Sequence, residues 1–376
     1  MALFLTDEQR ALQERVRRLA QEEFAPRAAH WDETETFPAE NLARLAEEGL
    51  RGILTPKEYG GAGLGAMEMA IVLEELAAAC VATADAYHNA VTISQLPLVL
   101  HGTEEQKSKY LVPAATGMTF NSFALTEPGA GSDAGAITTR AEPCEGGWVL
   151  NGHKVFATLS GVASALFVAA RTEKGISLFI VDADTPGLKI GPRARLMGQR
   201  GLDTGDVILE NCFVPSENLL GQEGQGLRTC LQSINMARIG AGALSVGIAR
   251  QALEQSVRYA KRRVAYGRPI AELQGIQFTL ADAATEIDAA RLLVYRAARL
   301  ADAGKNYVKE AAMAKLFAAT MVRRHTLSAI DLHGGHGYVR QVGVERLHRD
   351  AILFGLGGGT AAVMRLAIAQ QVLDRS

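Results

Sequence analysis

The chain has 376 residues, 48% of them apolar and 21% charged, with a formal net charge of −2. This is enough apolar chain for two or three layers around sizeable cores, in the composition range of globular enzymes. The near-neutral balance excludes a broad basic face for nucleic acid, and no apolar run approaches the roughly 20 residues that span a bilayer.

Cys80, Cys144, Cys212 and Cys230 are far apart and form no CxxC pair, so buried free thiols in a reducing cytosol are expected rather than zinc or disulfides. The start, Met1 to Glu8, lacks a basic segment followed by a long apolar core. No secretory signal is expected, and the chain reads as soluble and cytoplasmic.

Residues 6 to about 118 read as helices. Thr6 is an N-cap with Asp7 and Glu8 in the first turn, Leu12, Val16 and Leu19 follow at helical spacing, and Pro26 is expected to end the run. Leu42, Leu45, Ala46 and Leu50 form a second stripe, stopped near Gly49 and Gly52. Thr55 to Gly63 is a loop. Met67 to Leu100 is almost wholly apolar and predicts a long helix buried on several sides. A short helix starts at Glu104 and ends by Gly117.

From about 119 to 228 the pattern changes to short β-rich runs. Trp148–Leu150, Leu166–Ala170, Ser177–Val181 and Val207–Leu209 are punctuated by Gly, Pro, Asn and Asp. Alanine-rich helical periodicity returns from about 229, as at Ala289, Leu292, Leu293, Tyr295 and Arg296. Helices, then strands, then helices, each segregated, fit an α+β class better than βαβ units. The expected domains are 1–118, 119–228 and 229–376. Basic runs such as Lys261-Arg262-Arg263 and Arg323-Arg324 read mostly as solvated helix faces.

Five segments carry chemistry. Leu125-Thr126-Glu127-Pro128-Gly129-Ala130-Gly131-Ser132-Asp133 is a small-residue loop whose main chain can approach a flat or anionic ligand. It is accompanied by Asn151-Gly152-His153-Lys154-Val155-Phe156-Ala157-Thr158 and Arg263-Val264-Ala265-Tyr266-Gly267-Arg268-Pro269-Ile270. Gln274-Gly275-Ile276-Gln277-Phe278 follows, and Gly334-Gly335-His336-Gly337-Tyr338 runs on to Arg349-Asp350. No GxGxxG follows a strand, so a Rossmann dinucleotide site is not indicated.

Together these segments make the chain resemble the acyl-CoA dehydrogenase flavoprotein family over essentially its whole length. The resemblance implies an N-terminal helical domain, a middle β-barrel, a C-terminal four-helix bundle, a homotetramer and bound FAD. An isoalloxazine needs an apolar wall and hydrogen bonds at its polar edge. Phe123 and Leu125 share one face of a strand, Phe156 stands where the family commonly has Trp, and Thr126 and Thr158 offer edge hydroxyls. Arg263, with Tyr266 and Gln274, matches residues that reach FAD from a neighbouring subunit, where a guanidinium can fork onto the pyrophosphate. Gly334 and Gly335 would admit the adenine-diphosphate half, Asp331 replaces a common Gln, and Thr360 follows in the C-terminal motif.

For the thioester, the resemblance assigns Ser132, Asn235 and Arg238 to the CoA arm and site architecture, with Gly359 beside them. Asp85 to His88 and Ser94 to Pro97 are expected near the floor of the acyl pocket. The implied activity is α,β-dehydrogenation of an acyl-CoA or carrier-bound thioester, with electrons passed to an electron-transferring flavoprotein.

One departure stands out. The family usually carries its catalytic Glu before Gly-Thr; here Gly358 precedes Gly359-Thr360, and the alternative position on the first bundle helix is Ala237. Abstraction of a weakly acidic Cα proton needs a positioned base. An inactivating replacement, divergence in which Asp85, His88 or the substrate supplies the base, a reductase or oxidase of the same fold, and a non-catalytic flavin or acyl-CoA binder all remain open.

Overall fold

A computed structural model describes residues 5–373, so the reading at Met1–Phe4 lies outside the described residues. Thr6 caps helix α1 (Asp7–Leu19) in a capping box with Gln9, each side chain bonding the other's backbone N–H. Pro26 does not end the run. A π turn (Ala20–Phe24) and a 3-10 turn (Ala25–Arg27) carry α1 into α2 (Ala28–Thr34). Pro26 sits in the first positions of the 3-10 turn, where its missing N–H costs little.

After α3 (Ala39–Glu47), the apolar stretch expected as one helix is three: α4 (Ala66–Ala79), α5 (Val81–Val91) and α6 (Leu96–His101). Cys80 is extended between the first two, and the Thr92 hydroxyl donates to the His88 carbonyl at the second break (2.6 Å). A segment apolar on every face gives no periodic cue to where it bends. Short helices α7 (Glu104–Gln106) and α8 (Val112–Thr116), joined by a π turn, end at Gly117 in the left-handed region.

The strands are β1 (Asn121–Ala124), β2 (Arg140–Cys144), β3 (Gly147–Thr158), β4 (Ala165–Thr172), β5 (Gly175–Asp182), β6 (Leu188–Arg193), β7 (Thr204–Pro215) and β8 (Leu219–Leu220). They form one sheet in the order β6-β7-β3-β2-β4-β5-β8, with β1 parallel to β4. The sheet curls over a core of its own, where Leu150, Val207 and Leu209 meet Leu166, Val168, Phe179 and Val181. Its other face, through Phe123, Phe167 and Leu178, packs on Leu98, Tyr110 and Leu111 of the helices. Cys80, Cys212 and Cys230 are buried thiols, but Cys144 is exposed at the β2–β3 hairpin, a correction to the expectation.

The C-terminal helices are α9 (Gly226–Arg262), α10 (Gln274–Asp302), α11 (Val308–His333), α12 (Val344–Ala351) and α13 (Ala361–Leu373). A small hairpin, β9 (Val264–Ala265) and β10 (Arg268–Pro269), links α9 to α10. N- and C-terminal helices share one core. Gly247 of α9 lies so close to α4 that a Cβ would stand 2.2 Å from the Glu74 carbonyl oxygen. Buried carboxylates lock this contact: Glu74 to Arg291 (3.0 Å) and Glu75 to Arg250 (2.6 Å) and Arg17 (2.8 Å). Among the described residues, no helix is long and apolar enough to cross a membrane.

Candidate active site

The small-residue loop is closed by reciprocal backbone bonds between Glu127 and Ala130 (3.1 Å each), which leaves Gly129, Gly131 and Ser132 on the surface. Its base is braced from beneath. The Glu127 carboxylate accepts from Lys154 Nζ (2.7 Å), Thr138 N (2.6 Å) and Thr139 N (2.9 Å). Burial alone would raise this carboxyl, but the bonds from Lys154, Thr139 and Thr138 outweigh it and hold it at about 2. Lys154 also donates to the Leu125 carbonyl (3.1 Å). Both residues lie inside the recognised motifs; only the fold makes them partners.

A second bond, Val155 N–H to the Thr126 carbonyl (2.9 Å), lays the two flavin-edge segments side by side. The β3–β7 register slips between Lys154 and Ala157. Phe156 at this bulge is left-handed (φ +57°) and 68% exposed. A bulge commonly re-aims a side chain beside a functional site, and a left-handed aromatic is held there at a cost of order 1–3 kcal/mol. Thr126 and Thr158 are half-buried alongside it. Phe123 and Leu125 instead point into the core between sheet and helices.

Arg263 follows α9 directly and is exposed, with no side-chain partner among the described residues. The hairpin after it turns through Tyr266 and Gly267, both at positive φ, as a two-residue turn requires, and puts Tyr266 at its tip, 93% exposed. Gln274 opens α10, while Asp331 and Gly334–Gly335 lie exposed at the end of α11. An added Cβ would meet nothing within 4 Å at Gly334 or Gly335.

On α9, Asn235 and Arg238 share a face, and Arg238 Nη1 donates to Asn235 Oδ1 (2.7 Å). Arg238 Nε donates to the Gly358 carbonyl (3.3 Å), and the buried Lys315 of α11 donates to the Gly359 carbonyl. Burial, with the Arg238 charge nearby, pulls the Lys315 ammonium down to about 8. A lone Lys amid Ala311, Ala312, Ala314 and Ala318 was the unread sequence signal for this residue. Gly358 and Gly359 both have positive φ, and a Cβ at Gly358 would meet nothing within 4 Å. The Thr360 hydroxyl accepts from Val363 N (3.4 Å) at the start of α13.

The surrogate-base candidates are occupied. His88 sets one ring nitrogen against Asp85 Oδ1 and the other against the Ala237 carbonyl, both at 2.9 Å, and Asn89 also donates to Asp85 Oδ1. Asp85 is buried rather than solvated at a helix end, and the trio links α5 to α9. Gln95 is likewise spent on Thr55 Oγ1 and the Arg51 carbonyl.

Family models match the chain in three consecutive pieces: the acyl-CoA dehydrogenase N-terminal domain at 6–118, middle domain at 122–212 and C-terminal domain at 224–373. The chain belongs to the acyl-CoA dehydrogenase family. It is 45% identical to the probable acyl-CoA dehydrogenase YngJ of Bacillus subtilis over 98% of this chain and 99% of that one. It is 39% identical to the caffeyl-CoA reductase-Etf complex subunit CarC of Acetobacterium woodii over 92% of each. The structure of butyryl-CoA dehydrogenase from Megasphaera elsdenii superposes with a TM-score of 0.95 at 34% identity, covering 98% of this chain and 99% of that one. Members of this family therefore include dehydrogenases and reductases on one scaffold.

Proposed function

We propose that the chain is an FAD-dependent oxidoreductase acting on the Cα–Cβ bond of an acyl-CoA or carrier-bound acyl thioester. The observation that carries this is the β3 bulge, which presents Phe156 outward beside the Thr126 and Thr158 hydroxyls. That surface fits the flat apolar body and polar edge of a flavin. When bound, FAD supplies a hydride acceptor. Thr126 and Thr158 would bond its edge and Phe156 would wall its ring, while Phe123 and Leu125 support the loop from within the core. Arg263, whose side chain has no partner among the described residues, would reach a pyrophosphate together with Tyr266 and Gln274. Gly334, Gly335 and Thr360 would line the remainder, with Asp331 facing solvent. Ser132, Asn235, Arg238 and Gly359 would orient the thioester arm.

Arg263, Tyr266 and Gln274 share a short stretch of chain with the exposed apolar Val264 and Phe278. A second subunit covering them would complete the flavin site, in keeping with a homotetramer divided as 1–118, 119–228 and 229–376. Electrons would be exchanged with an electron-transferring flavoprotein, as the name of the CarC relative suggests, and the setting would be the cytoplasm. The position of the usual base is vacant at Gly358, so thioester dehydrogenation by this chain is slow unless a carboxylate comes from elsewhere. A reductase is the second reading, favoured by the 39% identity to the caffeyl-CoA reductase-Etf complex subunit. The test is spectroscopic. The purified protein is expected to be yellow with noncovalent FAD and to show a shifted flavin spectrum with butyryl-CoA. A colourless protein that ignores added FAD refutes the reading.

A further inference from the structure

The Gly358–Gly359 turn rests on two buried cations. Arg238 and Lys315 come from different helices, and neither pairs with a carboxylate among the described residues. Each keeps donors in reserve. Two of the five guanidinium N–H donors and one of the three ammonium donors are engaged, and Arg238 Nη2 has no partner among the described residues. That nitrogen lies 3.6 Å from where a Cβ on Gly359 would stand. At the neighbouring Gly358, whose carbonyl Arg238 holds, a Cβ would meet nothing within 4 Å. Buried charges are ordinarily paired, and two of like sign side by side are costly without an anion.

We propose that Gly358, Arg238 and Lys315 form a carboxylate-binding subsite, filled by an anion from outside the chain. The inference rests on the acyl-thioester reading and adds the chemistry of the ligand that reading lacks. Planar carboxylate oxygens match the spare Nη2 and ammonium donors. Two sources carry this chemistry: a carboxylate borne by the acyl group itself, or a small free carboxylate such as formate. A free carboxylate there stands where the missing side chain would have acted. A Cα proton passing to its oxygen gives the neutral acid. The Cα–H bonding pair would then form the new double bond, and FAD, when bound, would supply the acceptor for the Cβ hydride.

The experiment uses FAD-loaded protein. Binding of butyryl-CoA and its α-carboxylated counterpart, ethylmalonyl-CoA, is read from the flavin spectrum. Binding of 13C-formate to the butyryl-CoA complex is read from NMR line broadening. If the acyl group supplies the anion, ethylmalonyl-CoA binds about tenfold or more tightly than butyryl-CoA, the worth of one charged hydrogen bond. If a free anion does, formate binds saturably and accelerates anaerobic flavin reduction by butyryl-CoA. Either effect is expected to be lost in Arg238→Gln and Lys315→Met, and also in Gly358→Glu, which leaves both cations in place and fills the opening. If butyryl-CoA binds, yet neither carboxylate is preferred or bound, the subsite is refuted and the thioester reading stands. If no thioester perturbs the flavin, both fall.

Discussion

Replacing Gly358 by Glu asks whether this turn is a dehydrogenase site lacking one side chain. Gly358 has φ +65°, so an L residue there bears a left-handed backbone, costing about 1–2 kcal/mol. No steric term adds to this, because a Cβ meets nothing within 4 Å. A carboxylate reaching the spare donors of Arg238 or Lys315 gains about 1.5–3 kcal/mol from a charged hydrogen bond, which offsets the strain. Gly358→Gln carries the same strain and its neutral oxygen still accepts from a cation, but it lacks the charge–charge attraction, worth about 1 kcal/mol in a water-exposed pair. The Glu variant should therefore match the parent in denaturant unfolding and exceed the Gln variant by about 1 kcal/mol. General-base catalysis contributes typically 10²–10⁴-fold, so anaerobic stopped-flow reduction of the flavin by butyryl-CoA should accelerate by that order in the Glu variant alone. Equal rates and equal stabilities for Glu and Gln would show that the two cations do not face the open position.

Arg263→Ala should weaken FAD binding by about 1.5–3 kcal/mol in fluorescence titration while leaving apoprotein unfolding unchanged; unaltered affinity would place the pyrophosphate elsewhere. Lys315 titrates at about 8 in the fold against 10.5 unfolded, so the folded chain holds fewer protons between those values and stability rises with pH across that window. Lys315→Met should remove that rise, so its advantage over the parent, up to about 3 kcal/mol below pH 8, shrinks toward pH 10.5; parallel stability–pH curves would contradict this. Arg349 grips the buried Asp32 with two bonds (2.6 and 2.9 Å) and joins α12 to α2. Arg349→Met leaves that carboxylate only the longer contact to Arg200 (3.9 Å) and should cost about 3 kcal/mol in denaturant unfolding, with a loss under 1 kcal/mol counting against the pairing.

The segments that hold local signals were legible in the chain. The Thr6-Asp7-Glu8-Gln9 cap, the Gly117 helix end and the strand runs around Leu166–Ala170 and Ser177–Val181 depend on contacts only a few residues apart. That Gly358 precedes Gly359-Thr360 is likewise a fact of residue order. Arg263–Ile270 stood out as a motif, but its hairpin, turned by Tyr266 and Gly267, went unread. Continuous apolarity and long-range pairing were not legible. Met67 to Leu100 bends twice because Cys80 and Thr92 fit extended or hydroxyl-bonded breaks within a packed core, a choice no periodicity records. Pro26 is passed over because a change of helical register removes the need for its N–H. Glu127 and Lys154, 27 residues apart, are ordinary charges until β3 lies beneath the loop. Asp85 and His88 looked available as bases until α5 met α9 and their polar atoms found partners. Lys315 is one lysine in an alanine-rich helix; only the packing of α11 against α9 and the glycine turn sets it beside Arg238. Chain order specifies which groups exist and how neighbours turn, whereas burial and charge at a site depend on which distant helices enclose it.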